Sequence, residues 1–231
     1  MVTPEEYSQE KWDEEDDAWE RMVKELEEEQ KEDVKSEFDL LETMARYMLD
    51  ERSAAWMMSG IVGVYADVKP VAFEEVFDDL VEESDARMVQ ESLRRLGIAT
   101  EVEVDRDADE NGIKRQTWYF AKQPELITEF REVNRPKFGL RGEEKDATER
   151  KVGKLLGYPE TATEYFIRRS HSDDPYSEEP GSEHYIHSPE HAAEEYEQYE
   201  KPLYAAMAEY CPESLEVLLG REGMKRDGEE S

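Results

Sequence analysis

All four histidines fall within 21 residues, at His171, His184, His187 and His191. Neutral imidazoles joined by a carboxylate such as Glu194 or Glu195 form a donor set suited to zinc or another divalent cation. The spacing is less telling than the clustering. Ser188-Pro189-Glu190-His191 reads as a helix start, with serine as N-cap and proline at the first helical position, so His187 precedes the helix that carries His191. No His-Glu-x-x-His pair is present. Two readings stand: a metal site at His184, His187 and His191, or polar residues of an exposed loop.

A second set of residues carries recognition chemistry. Val89, Leu93 and Leu96, spaced four and three apart, form one buried stripe of a helix, which leaves Arg87, Gln90 and Arg94 on its outer side. Arginine and glutamine are the types that bond guanine and adenine edges in a major groove. Lys114 and Arg115, on a following strand, are placed to meet a phosphate. Asp107-Ala108-Asp109-Glu110-Asn111-Gly112 copies the first half of a calcium loop. Its twelfth position is Trp118 where a bidentate glutamate belongs, so a plain hairpin turn explains it as well. Cys211 lies on an apolar helical run and reads as a core residue, not a nucleophile. With no catalytic group singled out, a non-enzymatic protein is expected, with no required cofactor beyond the metal the histidines could hold.

Helices must position most of these residues. From Glu5 to Glu51 there is no internal proline or glycine, and Trp12, Trp19 and Leu26, then Val34, Leu41 and Met48, recur every seven residues. This predicts one or two amphipathic helices broken at Glu27 to Asp33. Such an arm either covers the protein's own core or pairs with a second copy or another protein. A helix is expected from Ala54 to about Tyr65, a second over Phe73 to Glu82, and a third from Asp85 to Leu96, capped by Ser84 and ended by Gly97. Two β-rich runs follow, Ile98 to Val104 and Ile113 to Ala121, forming a hairpin. Arg135 to Glu144 reads as a linker. Helical pattern returns at Ala147 to Leu156, Glu160 to Arg168, Ala192 to Glu200, Leu203 to Cys211 and Ser214 to Leu219.

Helix, helix, helix, hairpin resembles a winged helix-turn-helix over residues 54–122, with Phe73-Glu74-Glu75-Val76 and Ser84 through Ile98 similar to its second and third helices. That resemblance implies a DNA-binding regulator whose third helix enters the major groove. A shorter stretch, Gly153 through Phe166 with Gly157-Tyr158-Pro159-Glu160 at its centre, resembles an uncharacterised archaeal domain family in which two cysteines follow. Here Thr161 and Ala162 replace them, which removes any metal or redox role those cysteines had.

Composition sets the surroundings. Sixty-one acidic against 29 basic residues give a net charge of −32, divided as −13 over residues 1–52, −7 over 53–123 and −12 over 124–231. Acid spread this evenly among apolar residues is not a charged tail. At molar salt the Debye length falls to roughly 3 Å and the self-repulsion is screened. A halophilic, cytoplasmic protein is expected; an acidic, partly disordered protein is the alternative. The same acid, at Glu74, Glu75, Asp78, Asp79, Glu101 and Glu103, opposes ordinary DNA binding. A single cysteine excludes an intrachain disulfide, no signal peptide is evident, and the apolar run Ala54 to Ala66 is too short to span a bilayer. The expected fold is mainly α with one small β-hairpin: an acidic helical arm (1–52), a winged-helix-like domain (53–131), a helical C-terminal domain (145–220) and a disordered tail (221–231). The expected function is DNA-binding regulation, with double-stranded DNA as partner; a protein-interaction module is the alternative, and a histidine-ligated metal-binding protein or metalloenzyme the second alternative.

Overall fold

The computed structural model describes residues 28, 30–77, 83–104, 115–134, 140–171 and 187–228. It is mainly α-helical with one small antiparallel sheet, as the sequence predicts. Helix α1 spans residues 30–48 and so already runs through part of the expected break. Its stripe Phe38, Leu41, Ala45 and Met48 is at most 3% exposed, so this part of the arm covers the protein's own core. Trp12, Trp19 and Leu26 lie outside the described residues. Polar ties hold α1 in place: Glu37 accepts two hydrogen bonds from the Arg95 guanidinium at 2.6 and 3.0 Å, and buried Glu42 accepts from the Ser214 backbone N–H at 2.6 Å.

Asp50 caps α2 (Glu51–Tyr65), accepting from the N–H groups of Arg52 and Ser53. The apolar run noted in the sequence makes this helix the centre of the molecule, with Met57, Met58, Ile61, Val62 and Val64 at most 2% exposed. No helix among the described residues is long and apolar enough to cross a membrane. After α2 the chain turns sharply. Asp67 takes a left-handed conformation (φ 59°), and the N–H groups of Val68 and Lys69 both bond to the Gly63 carbonyl at 2.9 Å.

The next element corrects the sequence. Residues 73–77, expected to open a second helix, belong to strand β1 (Val71–Phe77); residues 78–82 lie outside the described part. Phe73, Val76 and Phe77 fit a helical stripe, but their neighbours also alternate as a strand does. Tertiary pairing decides between the two, because β1 covers an edge of the hairpin that would otherwise be left open. Helix α3 (Glu83–Arg95) buries the expected stripe of Val89, Leu93 and Leu96. The hairpin forms as predicted from β2 (Ala99–Val104) and β3 (Arg115–Ala121), and the sheet order is β1-β3-β2. Over the described residues the order is therefore helix, strand, helix, hairpin.

Strand alternation gives the sheet two covered faces. Ala72, Val76, Trp118 and Phe120 pack with α1, α2 and α3, while Val71, Tyr119 and Ala121 pack with Ile127 and Phe130 of α4 (Pro124–Asn134) and with Val152 and Leu155 of α5 (Glu143–Leu155). Helix α4 was not foreseen, although Pro124 at its start and the Ile127 and Phe130 pair are ordinary helix signals. Arg131 fastens it to β2 through ion pairs with Glu101 and Glu103.

Helix α6 (Glu160–Ser170) follows a tight turn at Gly157 and Tyr158. Helix α7 (Ala192–Glu195), a wide turn at Tyr196–Glu200 and α8 (Lys201–Tyr210) then run on continuously. The wide turn has a local cause. Pro202 has no N–H to return to the carbonyl four residues back, and the preceding Lys201 N–H bonds instead to the Tyr196 carbonyl, five residues back. Helix α9 (Pro212–Gly228) packs on α2 and extends into the segment expected to be a tail.

Candidate ligand pocket and the outer face of α3

The turn after α2, β1, the Gly157-Tyr158 turn and the wide turn before α8 meet around a cavity of about 320 Å³. Its size lies at the lower end for small-molecule sites, which are typically a few hundred Å³. Trp56, Phe73, Tyr158 and Tyr199 supply aromatic walls, and Lys69 and Glu74 supply charge.

Each residue is brought there for a reason visible in the chain. A Cβ on Gly63 would come within 2.8 Å of Lys69 Cδ, so glycine makes room for the lysine stem that its own carbonyl also anchors. Glu74 lies between Ala72 and Val76 and shares their face, which packs on α2; it is a carboxylate where the strand pattern calls for an apolar residue. Gly157 has φ +78°, and a Cβ there would lie 2.4 Å from the Val68 carbonyl oxygen and 3.1 Å from Pro70 Cδ. The Gly-Tyr-Pro-Glu step thus presses directly on the 68–70 turn and delivers Tyr158 beside Lys69. Tyr199 arrives on the wide turn, its ring centroid 5.9 Å from the Lys69 ammonium.

The electrostatics are unusual for two such ordinary groups. Burial pushes the Lys69 ammonium down to about 8, against the opposing pull of the Glu74 charge. Burial pushes the Glu74 carboxyl up to about 7, opposed by Lys69 and reinforced by Glu75 and Asp50. Glu74 is ionised above its value and Lys69 is charged below its own, so both carry charge together in the interval between about 7 and about 8. Each shift is a cost to folding. For Glu74 the cost grows as pH rises from the ordinary carboxylate range through 7; for Lys69 it is present below 8 and fades toward the ordinary lysine value. Burial also raises the Tyr158 phenol to about 12, so it remains a hydrogen-bond donor at any working pH.

A buried polar cluster lies behind the wide turn. His187 stands between two carboxylates, Nδ1 3.3 Å from Glu195 Oε2 and Nε2 3.3 Å from Glu200 Oε2. Glu195, fully buried, accepts from Thr161 Oγ1 at 2.6 Å and from the Ser188 backbone N–H at 3.0 Å. Of the other two predicted metal residues, the one that is described, His191, does not join it. His191 faces Glu194 at 3.7 Å on the surface, His171 bonds to Asp146 at 2.7 Å at the end of α6, and His184 lies outside the described residues. Among the described residues no group of three or more histidine, cysteine, aspartate or glutamate side chains is arranged to hold a metal ion. Cys211 is buried, as expected, and burial pushes its thiol far up.

The predicted DNA-contacting residues of α3 do share one side. Arg87 and Arg94 are exposed and Gln90 is partly so, opposite the buried stripe. Glu91 stands between them and takes the Arg94 guanidinium in two hydrogen bonds at 2.9 and 2.7 Å. Arg115 pairs with Glu75 at 3.3 Å, and Lys114 and the calcium-like residues 107–112 lie outside the described residues. Comparison with known proteins finds no matching family model, no similar curated protein and no solved structure that matches.

Proposed function

We propose that the protein is a non-enzymatic binder of a small molecule held in the cavity between the 68–70 turn, β1 and the Gly157-Tyr158 turn. One observation carries this: oppositely charged Lys69 and Glu74 face the same cavity, both at an energetic cost, without closing on each other as an ion pair. Groups kept where they oppose folding are typical of binding sites. Thermal unfolding of the purified protein in molar KCl, measured against amino acids, carboxylic acids, amines, sugars and nucleobases, tests it. A saturable rise in the midpoint is expected for the parent. Lys69→Met should lose that rise while unfolding no earlier than the parent when no ligand is present. If no compound shifts the parent, or if Lys69→Met responds equally, the cavity is not a binding site.

A second reading is favoured by Arg87, Gln90 and Arg94 standing together on the outer side of α3: a winged-helix-like regulator that reads DNA. Because Glu91 already occupies Arg94, this face must give up an ion pair to bind. A mobility shift at high salt with genomic fragments should then weaken for Arg87→Ala plus Arg94→Ala. Equal binding by the double variant and the parent removes these residues from any interface.

A further inference from the structure

We infer that the ligand of this cavity is an amino acid in its zwitterionic form, its carboxylate directed to Lys69 and its ammonium to Glu74. The inference rests on the binding reading above and names its ligand class.

Charge has to balance in a small, half-open cavity whose two ionisable wall groups are partly buried. A ligand with only a carboxylate would satisfy Lys69 but bring a second negative charge to Glu74, next to Glu75 and the Asp50 carboxylate that already act on it. A ligand with only an ammonium would meet the converse difficulty at Lys69. A neutral ligand would leave both groups without the partners that repay their burial. A zwitterion is neutral overall and offers each charge its opposite, so it enters without adding net charge to a chain that already carries −32. The rest of the lining takes the remainder of such a molecule. Trp56 and Phe73 offer apolar ring surface, Tyr158 keeps its phenol proton, and Gly60 adds no side chain to fill the space. A body of apolar or aromatic type suits these walls better than a sugar or phosphate.

Isothermal titration calorimetry on the full chain in molar KCl with matched sets tests the inference. One set is phenylalanine, phenylethylamine and 3-phenylpropionate; the other is leucine, isopentylamine and 4-methylpentanoate. Within each set the body is constant and only the charges change. At least one of the two zwitterions should bind, and its amine and acid should bind roughly ten- to a hundredfold more weakly, as loss of a hydrogen bond between charged groups implies. Lys69→Met should abolish discrimination against the amine, and Glu74→Gln discrimination against the acid. If an acid or an amine binds as tightly as its zwitterion, the zwitterion inference fails and the binding reading stands. If neither zwitterion binds while some other compound gives the saturable midpoint rise, the inference again fails alone. If nothing gives that rise, both fail.

Discussion

Gly157→Ala is expected to cost the fold roughly 3 kcal/mol, and Gly97→Ala only about 1 kcal/mol, although the two glycines occupy the same backbone conformation. Gly157 ends α5 with φ +78° and Gly97 follows α3 with φ +72°. In both turns the next residue's N–H reaches back five positions, from Tyr158 to the Gly153 carbonyl and from Ile98 to the Leu93 carbonyl. An alanine at either position therefore meets the same left-handed penalty, on the order of 1 kcal/mol. The surroundings differ. Nothing lies within 4 Å of a Cβ at Gly97, whereas at Gly157 it would meet the Val68 carbonyl oxygen at 2.4 Å and Lys69 Cα at 3.3 Å. Those are backbone atoms, so the two turns must separate. Urea midpoints of the two variants give the comparison directly. Equal losses would show that the contact between the turns contributes little. Because the displaced peptide carries Lys69 and the displaced glycine precedes Tyr158, Gly157→Ala should also remove ligand binding from whatever protein remains folded.

How much of this was readable beforehand depends on the range of the interaction concerned. Gly97 as a helix stop, the hairpin turn and the stripe Val89, Leu93 and Leu96 depend on neighbours within a few residues, and, apart from the expected second helix and the end of α9, which runs to Gly228 where Leu219 was expected, the helix bounds and hairpin strands agree with the structure to within a few positions. Strand β1 escaped the same kind of evidence, because Phe73, Val76 and Phe77 fit a helical stripe while the residues around them also alternate as a strand does, and only the unpaired edge of β3 chooses. The cavity could not be read at all. In the sequence Lys69 is an ordinary lysine ahead of Pro70, and Glu74 is one more acid among many. They become a pair only when positions 56, 69, 74, 158 and 199 meet in space. The Glu91 and Arg94 ion pair was available to inspection, since residues three apart on one helix are neighbours on its surface. It reduces the charge that α3 can offer a phosphate backbone. The even acidity of the chain likewise hid the carboxylates that are buried among the described residues, Glu42, Glu195 and Glu200, and Glu74 in the cavity wall.

Of these, Glu195 should be the most damaging to remove. Glu195→Ala is expected to cost on the order of 4 kcal/mol, a large share of the roughly 5–15 kcal/mol that keeps an ordinary protein folded. The carboxylate joins three segments: Thr161 of α6 donates to one oxygen at 2.6 Å, the Ser188 N–H ahead of α7 donates to the other at 3.0 Å, and His187 Nδ1 stands 3.3 Å from that second oxygen. Truncation leaves the buried Ser188 N–H and the Thr161 hydroxyl without their acceptor, and each lost buried partner costs about 1–3 kcal/mol. Glu195→Gln keeps one oxygen and should lose about half as much. Thr161→Val removes a single donor and leaves the carboxylate its other contacts, so it should lose least. Guanidinium unfolding of these three variants, with the Glu195→Ala and Thr161→Val double variant, completes a cycle. The double variant should be less unstable than the sum of the singles, because the hydroxyl stranded by one change is removed by the other. Strict additivity would mean that the Thr161 bond does not form in solution. The residue after this donor is also structural: Ala162 is packed into the core at 2% exposure, so α6 is held to the cluster by Thr161 and to the core by its neighbour.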